Sequence, residues 1–296
     1  LTAFQKIPDH DPQFPFFLYY KGTPFNGKRG RPAPERKGYH FHHWHEIVFI
    51  HIDVGGTFFI NQNFYDIQQN DIFIIPGGTI HRSAPGQRSP HYSSVLLFDP
   101  ALVHDIALGE SFGYLDAFHQ CERDEKYRFA LHAQQGGVIE QYLSGIQHEL
   151  AAMTAGYRFR ALNLLHQLLM ELLQIRVQEA SGPTVKQSKS HIWMKDILTY
   201  IDSRRHEDLS LPCLAEQALV SPAHFSRVFK KLTGFQVTEY LLTKRILQAK
   251  DLLKQGDGSI SSIAEQCGFQ SLSHFHRMFR RHIGLTPGQY RSHMRG

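Results

Sequence analysis

Cysteine is scarce: the 296 residues hold three, at 121, 213 and 267, with no short spacing between them. That excludes a disulfide scaffold and a cysteine-ligated zinc site, and it favours a reducing, cytoplasmic setting. Cys213 and Cys267 fall on the apolar side of their segments and read as small core residues. No apolar run is long enough to span a bilayer, and the first residues lack a signal-peptide pattern, so no membrane partner is expected. No Ser-His-Asp order, phosphate-binding glycine loop or carboxylate pair stands out. The expectation is therefore a non-enzyme without a cofactor.

Charge is present but uneven. The net formal charge is +5. Residues 186–296 hold 17 Lys/Arg against 9 Asp/Glu, whereas residues 1–185 hold 15 against 18. A basic C-terminal third on a mildly acidic remainder points to a polyanion partner for one domain only.

The hydrophobic pattern changes along the chain. Residues 1–38 are rich in Pro, Gly and aromatics and read as an irregular arm with one strand at 16–20. From 38 to about 98, short β-prone runs at 47–50, 57–60, 71–75 and 93–98 alternate with glycine turns, the pattern of a small β-barrel or sandwich. Helical periodicity follows at 137–153 and 157–177. The second of these is apolar over more than one stripe and needs a second surface, on the barrel or on another subunit. The polar segment 179–190 reads as a linker. From 191 onward the chain is helical. The expected architecture is α+β with two domains: residues 1–180 (barrel about 14–100, helices about 101–178), a linker at 181–190, and an all-α domain at 191–296.

The all-α region contains an internal repeat. Leu214-Ala-Glu-Gln217 matches Ile263-Ala-Glu-Gln266, and Phe225-Ser-Arg-Val-Phe-Lys-Lys231 matches Phe275-His-Arg-Met-Phe-Arg-Arg281. Gly234 pairs with Gly284 and Tyr240 with Tyr290. Each copy is a pair of short helices joined by a turn, so two helix-turn-helix units are expected, at about 210–232 and 259–282. Phe225, Phe229, Phe275 and Phe279 share helix faces at four-residue spacing and belong to the core. Ser226 and Arg227, with His276 and Arg277, are placed to meet base edges, where Arg suits guanine, and Ala223 and Ser273 are further expected DNA-contact positions. Lys230, Lys231, Arg280 and Arg281 are placed to meet phosphates. The competing reading is a solvated basic face, which the repetition of the pattern disfavours.

The second copy resembles the AraC/XylS family of transcription regulators. The residues that carry the resemblance are Ile263-Ala264, Gly268-Phe269, Ser271, His274-Phe275, Arg277, Phe279-Arg280-Arg281, Gly284, Thr286-Pro287 and Tyr290-Arg291. The resemblance implies two recognition helices entering successive major-groove segments of double-stranded DNA, about one helical turn or roughly 34 Å apart. The first copy departs from the pattern at Leu219, where glycine is usual, which puts its turn in doubt. Less specifically, His42-His43-Trp44-His45-Glu46, Gly55, Asn70-Asp71, Pro76 and His81 resemble the family's cupin-like effector domain, in its sugar-responsive branch. That implies a small-molecule effector, a sugar by this likeness, along with a homodimer and RNA polymerase as a partner. The rival readings are a cupin metal enzyme fused to a DNA-binding module, and a ligand-independent regulator whose barrel only dimerises.

The histidines allow two sets. His40-x-His42-x3-Glu46, with His81 after Pro76-x-Gly78, has the spacing of a cupin metal motif. Neighbouring strand residues point to opposite faces, however, so this set and His43 with His45 cannot both face the barrel interior. The preferred reading is metal-free: His43, His45 and His81 line an effector pocket, with Trp44 and Tyr39 nearby.

Overall fold

A computed structural model describes residues 10–25, 40–86, 92–103, 113–179, 192–204, 206–207, 209–256 and 258–295. Tyr39 and the expected linker lie outside the described residues. Among those described, 10–25 and 42–179 form one compact unit, and 40–41 with 192–295 form the other. No described helix is long and apolar enough to cross a membrane.

The first unit is built on two antiparallel sheets. The larger contains β1 (Phe16–Tyr20), β2 (Thr23–Phe25), β3 (His45–Ile50), β6 (Asp71–Ile75), β8 (Ser93–Phe98) and β9 (Arg128–Ala130), in the order β2-β1-β8-β3-β6-β9. The smaller orders β5 (Asn63–Asp66), β4 (Gly56–Ile60) and β7 (His81–Pro85). Among the described residues no ladder joins the two sheets. Among the described residues a 3-10 turn at Pro100–Leu102 and three α-helices complete the unit: α1 (Asp116–Asp124), α2 (Ala133–Ala152) and α3 (Tyr157–Glu179).

Strand β3 sits at the middle of the larger sheet, paired to β8 on one side and β6 on the other, and all six of its residues are buried. Its pleat sends alternate side chains to opposite faces. His45 stacks on Phe118 of α1, and Phe49 approaches Gly136 of α2, so the odd positions face the helices. Glu46 contacts His81 of β7. Val48 pairs in register with Phe73, which meets Phe58 of β4 at 4.6 Å, so the even positions face the second sheet.

The second unit is helical: α4 (Ile192–Arg204), α5 (Leu211–Gln217), α6 (Pro222–Thr233), α7 (Val237–Gln255), α8 (Ile260–Gln266), α9 (Leu272–Ile283) and α10 (Pro287–Arg295). The short helices start at serine caps. Ser210, Ser221, Ser259 and Ser271 each accept a hydrogen bond from the backbone N–H three residues on, which satisfies an otherwise unpaired donor. Both α6 and α9 end at a left-handed glycine, Gly234 and Gly284. One core placement fails: Cys267 is buried as expected, but Cys213 is exposed, because it lies in the first turn of α5 on the side away from Leu214 and Ala215.

The two inter-helix turns are the same turn. Leu219 N–H donates to Glu216 O at 2.9 Å, and Gly268 N–H to Glu265 O at 2.8 Å. Val220 donates to Ala215 O, and Phe269 to Ala264 O, both at 3.0 Å. Leu219 therefore takes the left-handed conformation of its glycine counterpart, with φ 56° against 77°. A non-glycine residue pays about 1–2 kcal/mol for that conformation, and glycine returns part of it as unfolded-chain entropy. Leu219 is 92% exposed, so its side chain contributes little burial. Leu219→Gly is expected to stabilise the helical unit by about 0.5–1 kcal/mol. Urea unfolding followed through Trp193 in a Trp44→Phe background measures this, and a loss of stability would refute the assignment of strain.

Candidate nucleic-acid interface and histidine cluster

In α6 and α9 the buried face is aromatic. Phe225, Phe229, Phe275 and Phe279 have no exposed surface. The rings within each helix lie 5.6 and 5.5 Å apart. Phe229 meets Tyr240 at 5.5 Å, and Phe279 meets Tyr290 at 5.7 Å, both edge-on. The sequence repeat is thus also a repeat of packing.

Burial of this face turns the basic face outward. Ala223, Arg227, Lys230 and Lys231 of α6 are exposed, and Ser226 is half-buried. Ser273, Arg277, Arg280 and Arg281 of α9 are exposed, with His276 half-buried. His276, Arg277, Arg280, Arg281 and Thr286 line one open groove with no carboxylate in its wall. Thr286 was not among the expected contacts. Its hydroxyl accepts from Gln289 N–H, capping α10, which fixes the rim of the groove. The Thr-Pro pair that starts this helix was the available signal. Arg291 has a structural role instead, donating to Gly258 O at 2.7 Å.

The histidines fall into two groups on either side of β3. His42 Nε2 lies 2.8 Å from Glu46 Oε2, and His81 Nε2 lies 3.1 Å from the same oxygen. All three residues are buried. Their ligand-type atoms lie within 4.8 Å of one another, an arrangement able to hold a metal ion. His40, the fourth member of the expected set, falls in the short segment grouped with the other unit.

The expected pocket of His43, His45 and His81 is not assembled. His45 points to the helix side, its ring 4.2 Å from Phe118 and its Nδ1 accepting from Gly77 N–H at 3.0 Å. His43 is partly exposed, 3.4 Å from the Asp99 carboxylate. Burial works against the charge on Asp99, but hydrogen bonds led by the one from His43 outweigh it and hold the carboxyl below its usual range. Trp44 is buried with Phe17 and Leu97. The physical reason is which face of β3 is turned where: His45, at an odd position, faces the helices, while His81 meets Glu46 on the opposite face between the sheets, and His43 precedes the strand.

A second polar cluster was not anticipated. Glu140 of α2 accepts from Tyr20 at 2.5 Å and from Lys21 at 2.6 Å, and lies 3.1 Å from His51. Burial opposes the charge on Glu140, but the hydrogen bonds from His51, Lys21 and Tyr20 prevail and bring its pKa down to about 2. This anchors α2 across β1 and the end of β3.

Comparison with known proteins agrees with this two-part organisation. A family described as an AraC-like ligand-binding domain matches residues 25–169, and a helix-turn-helix domain family matches residues 214–293. The regulatory protein PocR of Salmonella typhimurium is 39% identical over 37% of this chain and 35% of its own length. The HTH-type transcriptional regulator YijO of Escherichia coli is 27% identical over 74% of each chain. The probable transcription factor PqrA of Proteus vulgaris is 33% identical over 33% of this chain and 82% of its own. The chain therefore spans about a third of PocR but most of PqrA.

The C-terminal end of α9 carries a titratable group. His282, the last residue but one of α9, is buried. Burial first, then the positive charge of Arg281, push its pKa below the usual value. The unfolded chain binds this proton more readily, so its neutral form contributes stability above about pH 6.5 that is lost as pH falls. Acidification from pH 7.5 to 5.5 should lower the melting temperature of the helical unit, and His282→Leu should flatten that dependence. An unchanged slope in the variant would refute the role of His282.

Proposed function

Because the chain belongs to the AraC family of transcription regulators, we propose that it is a small-molecule-responsive activator that binds promoter DNA as a homodimer. Its helical unit is a DNA-binding helix-turn-helix domain and its β-rich unit is a ligand-binding domain. The observation that carries the proposal is the duplicated basic face of α6 and α9, set on a repeated aromatic core, together with that ligand-binding domain on the same chain.

On this reading Arg227 and Arg277 meet base edges, while Lys230, Lys231, Arg280 and Arg281 hold phosphates. The effector is a polar small molecule, a sugar by the family branch that the N-terminal motifs resemble, and the regulated genes belong to carbohydrate metabolism. Effector binding shifts the protein between two states only through a difference in affinity for them. Dimerisation through α3 is supported by Phe159, Met170 and Val177, which recur at helical spacing and are 76%, 43% and 62% exposed. RNA polymerase is the downstream partner, and the setting is the cytoplasm.

Two measurements test this. Against genomic fragments selected by the purified protein, Arg277→Ala should cost about 1–3 kcal/mol and relax preference at one position. Lys230→Ala should weaken all sequences alike and reduce the salt dependence by roughly one ion. Equal effects of both on selected and random DNA would overturn the division of roles. A thermal-shift screen against sugars should find a compound that raises the melting temperature and alters promoter binding or transcription. A sugar that binds and changes neither would favour the ligand-independent reading.

A further inference from the structure

We propose that Leu272, the first residue of α9, packs on the C5 methyl group of a thymine in the major groove and so fixes a T·A pair in the sequence that the second helix-turn-helix copy selects. The proposal deepens the DNA-binding reading of α9 and rests on it.

A hydrocarbon side chain exposed on a charged face carries the argument. The exposed residues of α9 are Leu272, Ser273, His274, Arg277, Arg280 and Arg281. Leucine is the one hydrocarbon among them, and it is 44% exposed. The core does not need it there. Among the described residues, the apolar cluster that buries Phe275, Met278 and Phe279 with Tyr290 does not include Leu272. Helix initiation does not need it either, because the cap is Ser271, which accepts from His274 N–H. The matching position of the first copy is Pro222, a residue that suits the first helical position for backbone reasons alone.

Position gives the leucine its partner. Leu272 precedes His276 by four residues, so the two share one flank of the helix, a turn apart. His276 lines the groove with Arg277, Arg280, Arg281 and Thr286, and Leu272 extends that wall at the N-terminal end of α9. In helix-turn-helix domains the N-terminal residues of the second helix are those that reach base edges. Arginines on this wall find guanine edges or phosphates. A leucine can use neither, and the apolar group that the major groove displays is the thymine methyl. Contact between the two removes hydrocarbon from water on both sides. Guanine or cytosine in the same place would set a polar edge against the leucine and lose its water without a hydrogen bond in exchange. Arg277 lies roughly 7.5 Å further along the helix axis. At 3.4 Å per base pair, the thymine therefore belongs within about three base pairs of the pair that Arg277 reads.

The test uses the full chain and the genomic fragments that it selects. Each thymine of the bound site is replaced in turn by uracil, which removes only the methyl group, and affinity is measured by fluorescence anisotropy at fixed salt. One replacement, within about three base pairs of the position that Arg277→Ala relaxes, should weaken wild-type binding about four-fold, the value of burying one methylene-sized group. Leu272→Ala should lose the response to that replacement and keep the responses elsewhere in the site. Leu272→Met, which retains the hydrocarbon, should restore it. Because the side chain lies outside the core, both variants should melt with the wild type. Absence of a methyl-sensitive thymine in that window would overturn the proposal, and so would a response that survives in Leu272→Ala. Lower transcription by Leu272→Ala at unchanged DNA affinity would overturn it too, by assigning the leucine to a protein partner. A chain that selects no fragment at all would overturn the DNA-binding reading and the proposal with it, a result distinct from selective binding that ignores the methyl group.

Discussion

Burial of two phenylalanines one helical turn apart decides what α6 and α9 can present to a partner. Phe225 and Phe229, like Phe275 and Phe279, have no exposed surface, and each pair lies on a single face. Truncating one such ring costs about 3–5 kcal/mol, whereas an exposed ion pair contributes under about 1 kcal/mol. Packing therefore fixes the rotation of each helix about its axis, and the charged residues take the directions that remain. Tyr240 and Tyr290 close the same edge-on contact in both copies, so the two basic faces are set by one construction used twice. The Ser caps and left-handed glycine ends hold the length of each helix as the phenylalanines hold its rotation.

The β-rich unit depends on the pleat of β3 in the same way. Its even positions face the second sheet and its odd positions face the helices, so Glu46 and His45 are committed to different environments by one peptide bond. Glu46 joins His42 and His81; His45 stacks on Phe118 of α1. Beyond the strand, His51 continues the odd parity and reaches Glu140 of α2. A rigid, fully buried strand thus has the inter-sheet cluster on one face and both helix contacts on the other. Displacing Glu46 displaces His45 with it, because neither can turn without breaking ladders to β6 and β8.

How legible these features were in the sequence follows from their range. The helix-turn-helix pair was readable because its core and its charges recur in one local pattern. Strands β1, β3, β4, β6 and β8 were readable as apolar runs. Strands β2, β5, β7 and β9 were not, being three to five residues long with proline or polar positions. The histidine clusters were half readable. Parity divided them into two sets, but which set faces inward depends on where the helices pack, and no local signal carries that. The preference for His43 with His45 chose the set whose strand member, His45, faces the helices. Glu140 lay beyond reach likewise, since its partners Tyr20, Lys21 and His51 are joined to it only by the fold. Cys213 was misplaced by a helix too short for its apolar face to be told from its neighbours.

The two inter-helix turns show why the family pattern is fuller in the second copy. Leu219 and Gly268 take the same conformation and the same hydrogen bonds, yet their surroundings differ. A Cβ on Gly268 would lie 2.9 Å from His206 O and 3.1 Å from Arg245 Nε. Arg245 is itself held in place, donating to Glu207 O at 2.7 Å. The second turn is therefore wedged against backbone and a tethered side chain, and it requires glycine for both space and φ. The first turn leaves its side chain almost wholly in solvent, so only φ penalises leucine there. A cost of about 1–2 kcal/mol is small beside the aromatic core that the turn connects. The missing glycine therefore marks a position with room rather than a degraded reader, and the doubt it cast on the first unit's turn is removed by the matching hydrogen bonds.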